Sequence, residues 1–167
     1  MKTQPLVRVV YASRATPECL ANLNENIEQI LASAISNNRP KGITGLLIAH
    51  RGWFLQALEG PTDEVHELFK HICTDPRHRD AILLGEGVAR IREFGLWSMC
   101  AHQLSPTDAM ILGELDRRPT FEPADFPEHA VMRLLRTVAE VHKLSLTRQQ
   151  GLASATPASV PMGQAQS

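Results

Sequence analysis

GITGLLIAHRGWFLQAL, residues 42–58, is the stretch on which the fold turns. Two apolar runs, 42–49 and 52–58, are separated only by a tight turn around His50, Arg51 and Gly52, so they read as two strands of one hairpin. Strand side chains alternate between faces, which places Phe54, Gln56 and Leu58 on the same side. That side reads as core, and Gln56 is the odd member. A buried primary amide has two donors and an acceptor to satisfy, and leaving them unpaired costs about 1–3 kcal/mol. A polar partner is therefore expected under this sheet: a side chain, a water, or a ligand with donors and acceptors of its own.

Working outward, residues 6–11 are short, apolar and β-branched and predict a first strand with Val7, Val9 and Tyr11 on one face. Thr16-Pro17 gives an N-cap followed by proline at the first helical position. Leu20, Leu23, Ile27, Ile30, Leu31 and Ala34 follow at helical spacing until Asn37-Asn38-Arg39-Pro40 breaks the pattern. Beyond the hairpin, Thr62 is placed to cap a second helix striped by Val65, Leu68, Phe69 and Ile72 and ended by Asp75-Pro76. Residues 82–88 predict a fourth strand and 96–101 a fifth.

The order β-α-β-β-α-β plus one strand is an α+β, ferredoxin-like pattern, with both helices on one sheet face. The remainder is expected to cover the other face. Ser105-Pro106 opens a short helix, and from about Pro127 a longer one carries Val131, Leu134, Val138 and Val141. The expected division is a core over 5–103, a helical cap over 104–148 and a flexible tail over 149–167, the tail being rich in Ala, Ser, Pro, Gly and Gln.

Composition narrows the function. A net charge of −1 and 43% hydrophobic residues describe an ordinary globular protein with no basic excess for nucleic acid. No apolar run approaches the ~20 residues that span a bilayer. Cys19, Cys73 and Cys100 are scattered and odd in number, which favours reduced thiols and a cytoplasmic location over a disulfide framework. His66 and His71 are five apart, off a common helical face, so no metal site is expected. Phosphate-binding glycine loops and hydrolase motifs are missing, and no enzymatic activity is expected.

Three constellations remain. Tyr11, the chain's one tyrosine, is expected beside Gln56, because strands one and three are the usual central neighbours in this order. The pair is either a satisfied core contact or is aimed at a ligand between the helices; Asn38, at the end of the first helix, adds an amide to the same cleft. Arg77-His78 stands beyond the second helix, where it is either a solvated loop or a contact for an acidic group. Trp97 and Met99, two apart in the fifth strand, are expected to share a face.

Five blocks in order carry a resemblance: Y-A-S at 11–13, N-N-R-P-K-G-I-T-G at 37–45, F-L-Q-A-L-E-G at 54–60, D-P-R-H at 75–78 and W-S-M at 97–99. Together, over about residues 5–103, the chain resembles the BLUF family, short single-domain blue-light photoreceptors using FAD. The resemblance implies FAD held non-covalently between the two helices, with Tyr11 and Gln56 as the photoactive pair. It implies Asn38 at the flavin carbonyl edge, Arg77 and His78 beside the ring and ribityl chain, and Ile30 and Ile72 as apolar walls. Thr44, with Lys41 and Arg39, is expected to help hold the ribityl-phosphate portion. Light would drive an electron and a proton from Tyr11, leaving Gln56 rotated or tautomerised, with Trp97 and Met99 relaying the change to the C-terminal helices. The implied partners are a homo-oligomer, dimer or larger, and an unidentified downstream protein, with no nucleic acid and no membrane. The alternative is a small-ligand module or enzyme on the same ferredoxin-like fold.

Overall fold

A computed structural model describes residues 4–104 and 122–153. Strand β1 is Leu6–Ala15, followed by helices α1 (Pro17–Ala21) and α2 (Leu23–Asn38) and a 3-10 turn, Arg39–Lys41. Then come β2 (Thr44–His50), β3 (Trp53–Pro61), α3 (Thr62–Ile72), β4 (His78–Val88) and β5 (Cys100–Gln103). A 3-10 turn, Pro123–Asp125, precedes the long helix α4, Glu128–Ala153. The five strands form one mixed sheet in the order β4-β1-β3-β2-β5. The α+β, ferredoxin-like expectation holds, with β1 and β3 as central neighbours.

The hairpin sets the register. His50 pairs with Trp53, so Arg51 and Gly52 are the whole loop. Both have positive φ, 47° and 79°, the mirror-image turn whose twist matches the flanking strands. Counting back from it, Gln56 falls directly opposite Leu47 of β2, and the β1–β3 ladder sets it opposite Tyr11 on its other side. Tyr11 lies in mid-strand rather than at its end, because β1 continues to Ala15.

The sheet separates two cores. On one face Val7, Val9, Tyr11, Leu47, Phe54 and Leu58 meet the apolar sides of α2 and α3. On the other, Val10, Leu46, Ile48 and Leu55 meet Val131, Leu135 and Val138 of α4. The last helix therefore spends its apolar stripe on its own sheet.

Several local expectations are corrected. The first helix is two: Asn22 leaves helical geometry, and the Asn26 amide donates to the carbonyls of both Cys19 and Asn22. Polar side chains that bond nearby backbone compete with the helix in this way. Thr16 does cap α1, accepting from Cys19 N–H at 3.2 Å. Thr62 caps nothing. Its hydroxyl donates to Pro5 O, and the Gln4 carbonyl accepts from Asp63 N–H in the cap's place. Strand β4 starts at His78, four residues early. Helix α4 runs to Ala153, into the stretch expected to be tail. The short helix expected at Ser105-Pro106 lies outside the described residues.

The largest correction concerns the fifth strand, which starts at Cys100, not near Leu96. Trp97 and Met99 precede it and do not share a face. Trp97 packs with the α4-side core and Met99 with the opposite one. Alternation fails because residues 97–99 are not in a ladder. Gly45 N–H takes Trp97 O, and the Asn38 amide takes Ser98 O. Among the described residues no helix is long and apolar enough to cross a membrane.

Candidate functional site

Between α2 and α3, over the sheet, lies a cleft of about 760 Å³ counting its open mouth. Its floor is Tyr11, Leu47, Phe54, Gln56 and Met99; Ile30 and Ala34 of α2 face Leu68 and Ile72 of α3 across it. The strand pattern explains Tyr11, Leu47, Phe54 and Gln56, which point from their strands to the helix-bearing face, whereas Met99 reaches the floor from the segment before β5.

Gln56 is 4% exposed, so its amide must be satisfied within the protein. The Tyr11 hydroxyl donates to Oε1, while Nε2 donates to Met99 Sδ at 3.3 Å. A thioether is a weak acceptor, so this end of the amide is under-satisfied. Tyr11 is 3% exposed and packs its ring 5.1 Å from Phe69, tilted by 51°. Burial drives its hydroxyl well above the usual phenol range, and the Cys73 and Asp75 charges add to the shift. Tyr11 is thus a neutral donor at any working pH.

Asn38, 1% exposed, lines the cleft from the end of α2 and donates to Ser98 O at 3.0 Å. Arg77 and His78 line it where β4 begins. Asp75 accepts from Arg77 Nε and backbone N–H, each at 2.9 Å, and from Nη2 at 2.5 Å. The bond from the Arg77 side chain is the main reason the Asp75 carboxyl sits below its usual range. His78 holds Ile72 O at 2.6 Å through Nε2, which makes Nε2 the protonated nitrogen and Nδ1 an acceptor. That Nδ1 is buried and has no partner.

Seven of the eight residues expected to hold the flavin, Tyr11, Ile30, Asn38, Gln56, Ile72, Arg77 and His78, thus converge on one cleft, and Met99 joins them. Thr44 does not. It pairs with Glu59 in the ladder, so its side chain points to the α4 face, where it binds Glu59 and Arg92. Lys41 is turned to Glu64, 3.5 Å away. Other neighbours escaped the sequence reading, Ser33, Asn37 and His71 among the polar lining. Asp75 is signalled by an acid two residues before Arg77 at a helix end, and Phe69 by its place in the α3 stripe. Among the described residues no cluster could hold a metal.

Residues 6–100 match the family model described as "Sensors of blue-light using FAD". The blue light- and temperature-regulated antirepressor BluF of Escherichia coli (strain K12) is 35% identical over 71 residues. That alignment covers 42% of this chain and 18% of the relative, so the chain spans under a fifth of that curated protein. The photo-activated state of BlsA superposes with a TM-score of 0.72 at 28% identity, covering 80% of this chain and 94% of that one. The dark-state structure of BlrB gives 0.66 at 29% identity, covering 83% and 98%.

Proposed function

The chain belongs to the BLUF family, the sensors of blue light using FAD, and on that premise we propose that Tyr11 and Gln56 form its light-driven switch in the α2–α3 cleft. The observation that carries this reading is the buried relay Tyr11 OH to Gln56 Oε1, Gln56 Nε2 to Met99 Sδ, on the cleft floor. The residues present suit a flavin. Ile30, Leu68 and Ile72 offer apolar walls to a flat ring, Gln56 has an under-used donor, and His78 Nδ1 is an orphan acceptor for a ligand hydroxyl. The mouth carries no free cation from Arg77, whose charge is matched by Asp75.

Bound FAD supplies a one-electron oxidant when it absorbs blue light. Tyr11 would be the donor of the electron, and its hydroxyl, already bonded to Gln56 Oε1, would pass its proton to that amide. With both returned to Tyr11, Gln56 would be left rotated or tautomerised. An amide exchanges donor and acceptor ends at almost no steric change, so Gln56 can reverse in place, and what changes is which neighbours it can bond. Asn38 and His78 hold the edge of the site while Gln56 changes. Output passes through Trp97, Met99 and helix α4 to a protein partner, a second copy or a downstream protein. BluF's description as an antirepressor supports an output of this kind.

The test is optical. The purified protein is expected to be yellow with FAD and to show a reversible red shift under blue light. Gln56→Leu should retain flavin and lose the shift, and Tyr11→Phe should stop the photocycle. A colourless protein that takes up no FAD sinks the reading, and a Gln56→Leu variant that keeps the shift removes Gln56 from it.

A further inference from the structure

Three consecutive residues join the cleft to the cap. Met99 holds Gln56 through its sulfur, Ser98 is held through its carbonyl by Asn38, and Trp97 packs on the other side of the sheet. The Trp97 ring meets the His142 ring of α4 edge-on, 5.4 Å between centroids and 76° between planes. His102 of β5 meets the same His142 ring at 6.4 Å and 82°.

The upstream end of this segment is fixed. Glu59, fully buried on the α4 side of β3, accepts the N–H groups of Glu93 and Phe94 at 2.9 and 3.0 Å and binds Arg8 at 2.8 Å. Phe94 is itself wholly enclosed. Between Phe94 and Met99 the backbone is held at Trp97 O by Gly45 N–H and at Ser98 O by the Asn38 amide, so a change at Met99 reaches α4 through side-chain packing, and the large side chain touching α4 there is Trp97.

Gln56 has two states with opposite effects on Met99. With Nε2 toward the sulfur, donor meets acceptor. With the amide reversed, Oε1 faces a sulfur that has nothing to donate, and the contact is lost. On the receiving helix, Val131 and Leu135 are buried against the sheet and Arg136 is paired to Glu93 on the fixed end. His142 differs in position. It is half-buried, and every side chain from Lys143 to Gln149 is exposed.

We propose that His142 is the residue of α4 that receives the Gln56 switch, through the Trp97 ring, and that losing this contact undocks the helix from His142 onward. The proposal rests on the photosensor reading and names where its signal leaves the sheet. Releasing the last docked turn lengthens the exposed end of α4, where Leu144 and Leu146 are 58% and 38% exposed. That end is the part of the helix a partner can read.

The experiment is amide hydrogen exchange on the full chain loaded with FAD, in darkness and under blue light, with the flavin spectrum recorded on the same samples. In the wild type, amides following His142 are expected to exchange several-fold faster in light. His142→Ala should keep the red shift but exchange fast in both conditions, bringing the light-to-dark ratio close to one. His142→Phe keeps an edge-on ring and should restore the ratio. A wild-type ratio in His142→Ala, or a ratio near one in His142→Phe or the wild type, overturns the proposal while the red shift stands. A wild type with no red shift fails at the earlier step, the photoreaction itself.

Discussion

At the scale of single residues, the cleft depends on one side chain that is missing. A Cβ built on Gly45 would stand 2.4 Å from Ala57 O and 3.0 Å from Met99 Cε. The first atom is backbone in the central strand and cannot yield. Gly45→Ala is expected to destabilise the protein by roughly 1–3 kcal/mol as an overpacked site, seen as a lowered urea midpoint, and to displace Met99 from Gln56. A midpoint unchanged from wild type would mean that Ala57 O does not crowd this position. His142 makes a second residue-scale prediction. Burial, and then the nearby His102, push its ring below the ordinary 6.5. The folded state thus favours neutral His142, so stability is lost as pH falls from about 6.5 through the lower folded value. Wild type should lose more of its thermal midpoint than His142→Phe between about pH 7.5 and about pH 5.5; equal losses would remove the ring from the acid response. Gln56 was legible at this scale because an amide in an apolar strand is conspicuous. The split of Trp97 from Met99 was not, because it depends on Gly45 N–H and Asn38 capturing two successive carbonyls from distant parts of the chain.

At the scale of elements, what was legible was what local chemistry decides. The two-residue turn at Arg51-Gly52 fixes the β2–β3 register and so sets Gln56 against Leu47, while the separate β1–β3 ladder sets Gln56 against Tyr11. Thr16-Pro17 starts α1 as its capping chemistry requires. Long-range competition decided the rest. Thr62 has the right chemistry for a cap, but Pro5 O takes its hydroxyl and Gln4 reaches over from the N-terminus. Thr44 has the right neighbourhood in sequence for the cleft, yet its place opposite Glu59 turns it to the other face. Strand β5 is short because parallel pairing to β2 begins only at Cys100, opposite Leu46. No pattern within residues 96–101 announces that start.

At the scale of the whole molecule, one sheet serves two layers of unequal completeness. The α4 side is closed over Val10, Ile48, Leu55 and Leu135, and its buried carboxylate, Glu59, is bonded by Arg8 and two backbone N–H groups. The α2–α3 side holds the open cleft between its two helices, with His78 Nδ1 unpartnered and Gln56 leaning on a thioether. A ligand that fills this space binds the folded chain and has no site on the unfolded one. Folding stability must then rise with free ligand as RT ln(1 + [L]/Kd), about 2.7 kcal/mol at a hundredfold excess over Kd. The midpoint of thermal unfolding is therefore expected to climb steadily with added FAD. Gln56→Leu should climb as well, since a leucine keeps the apolar walls and the volume while removing only the switch. A His78→Phe variant, which deletes the orphan acceptor, should need more FAD for the same rise. A midpoint indifferent to FAD in the wild type would show that the incomplete layer is not completed by flavin, whatever the colour of the protein as isolated.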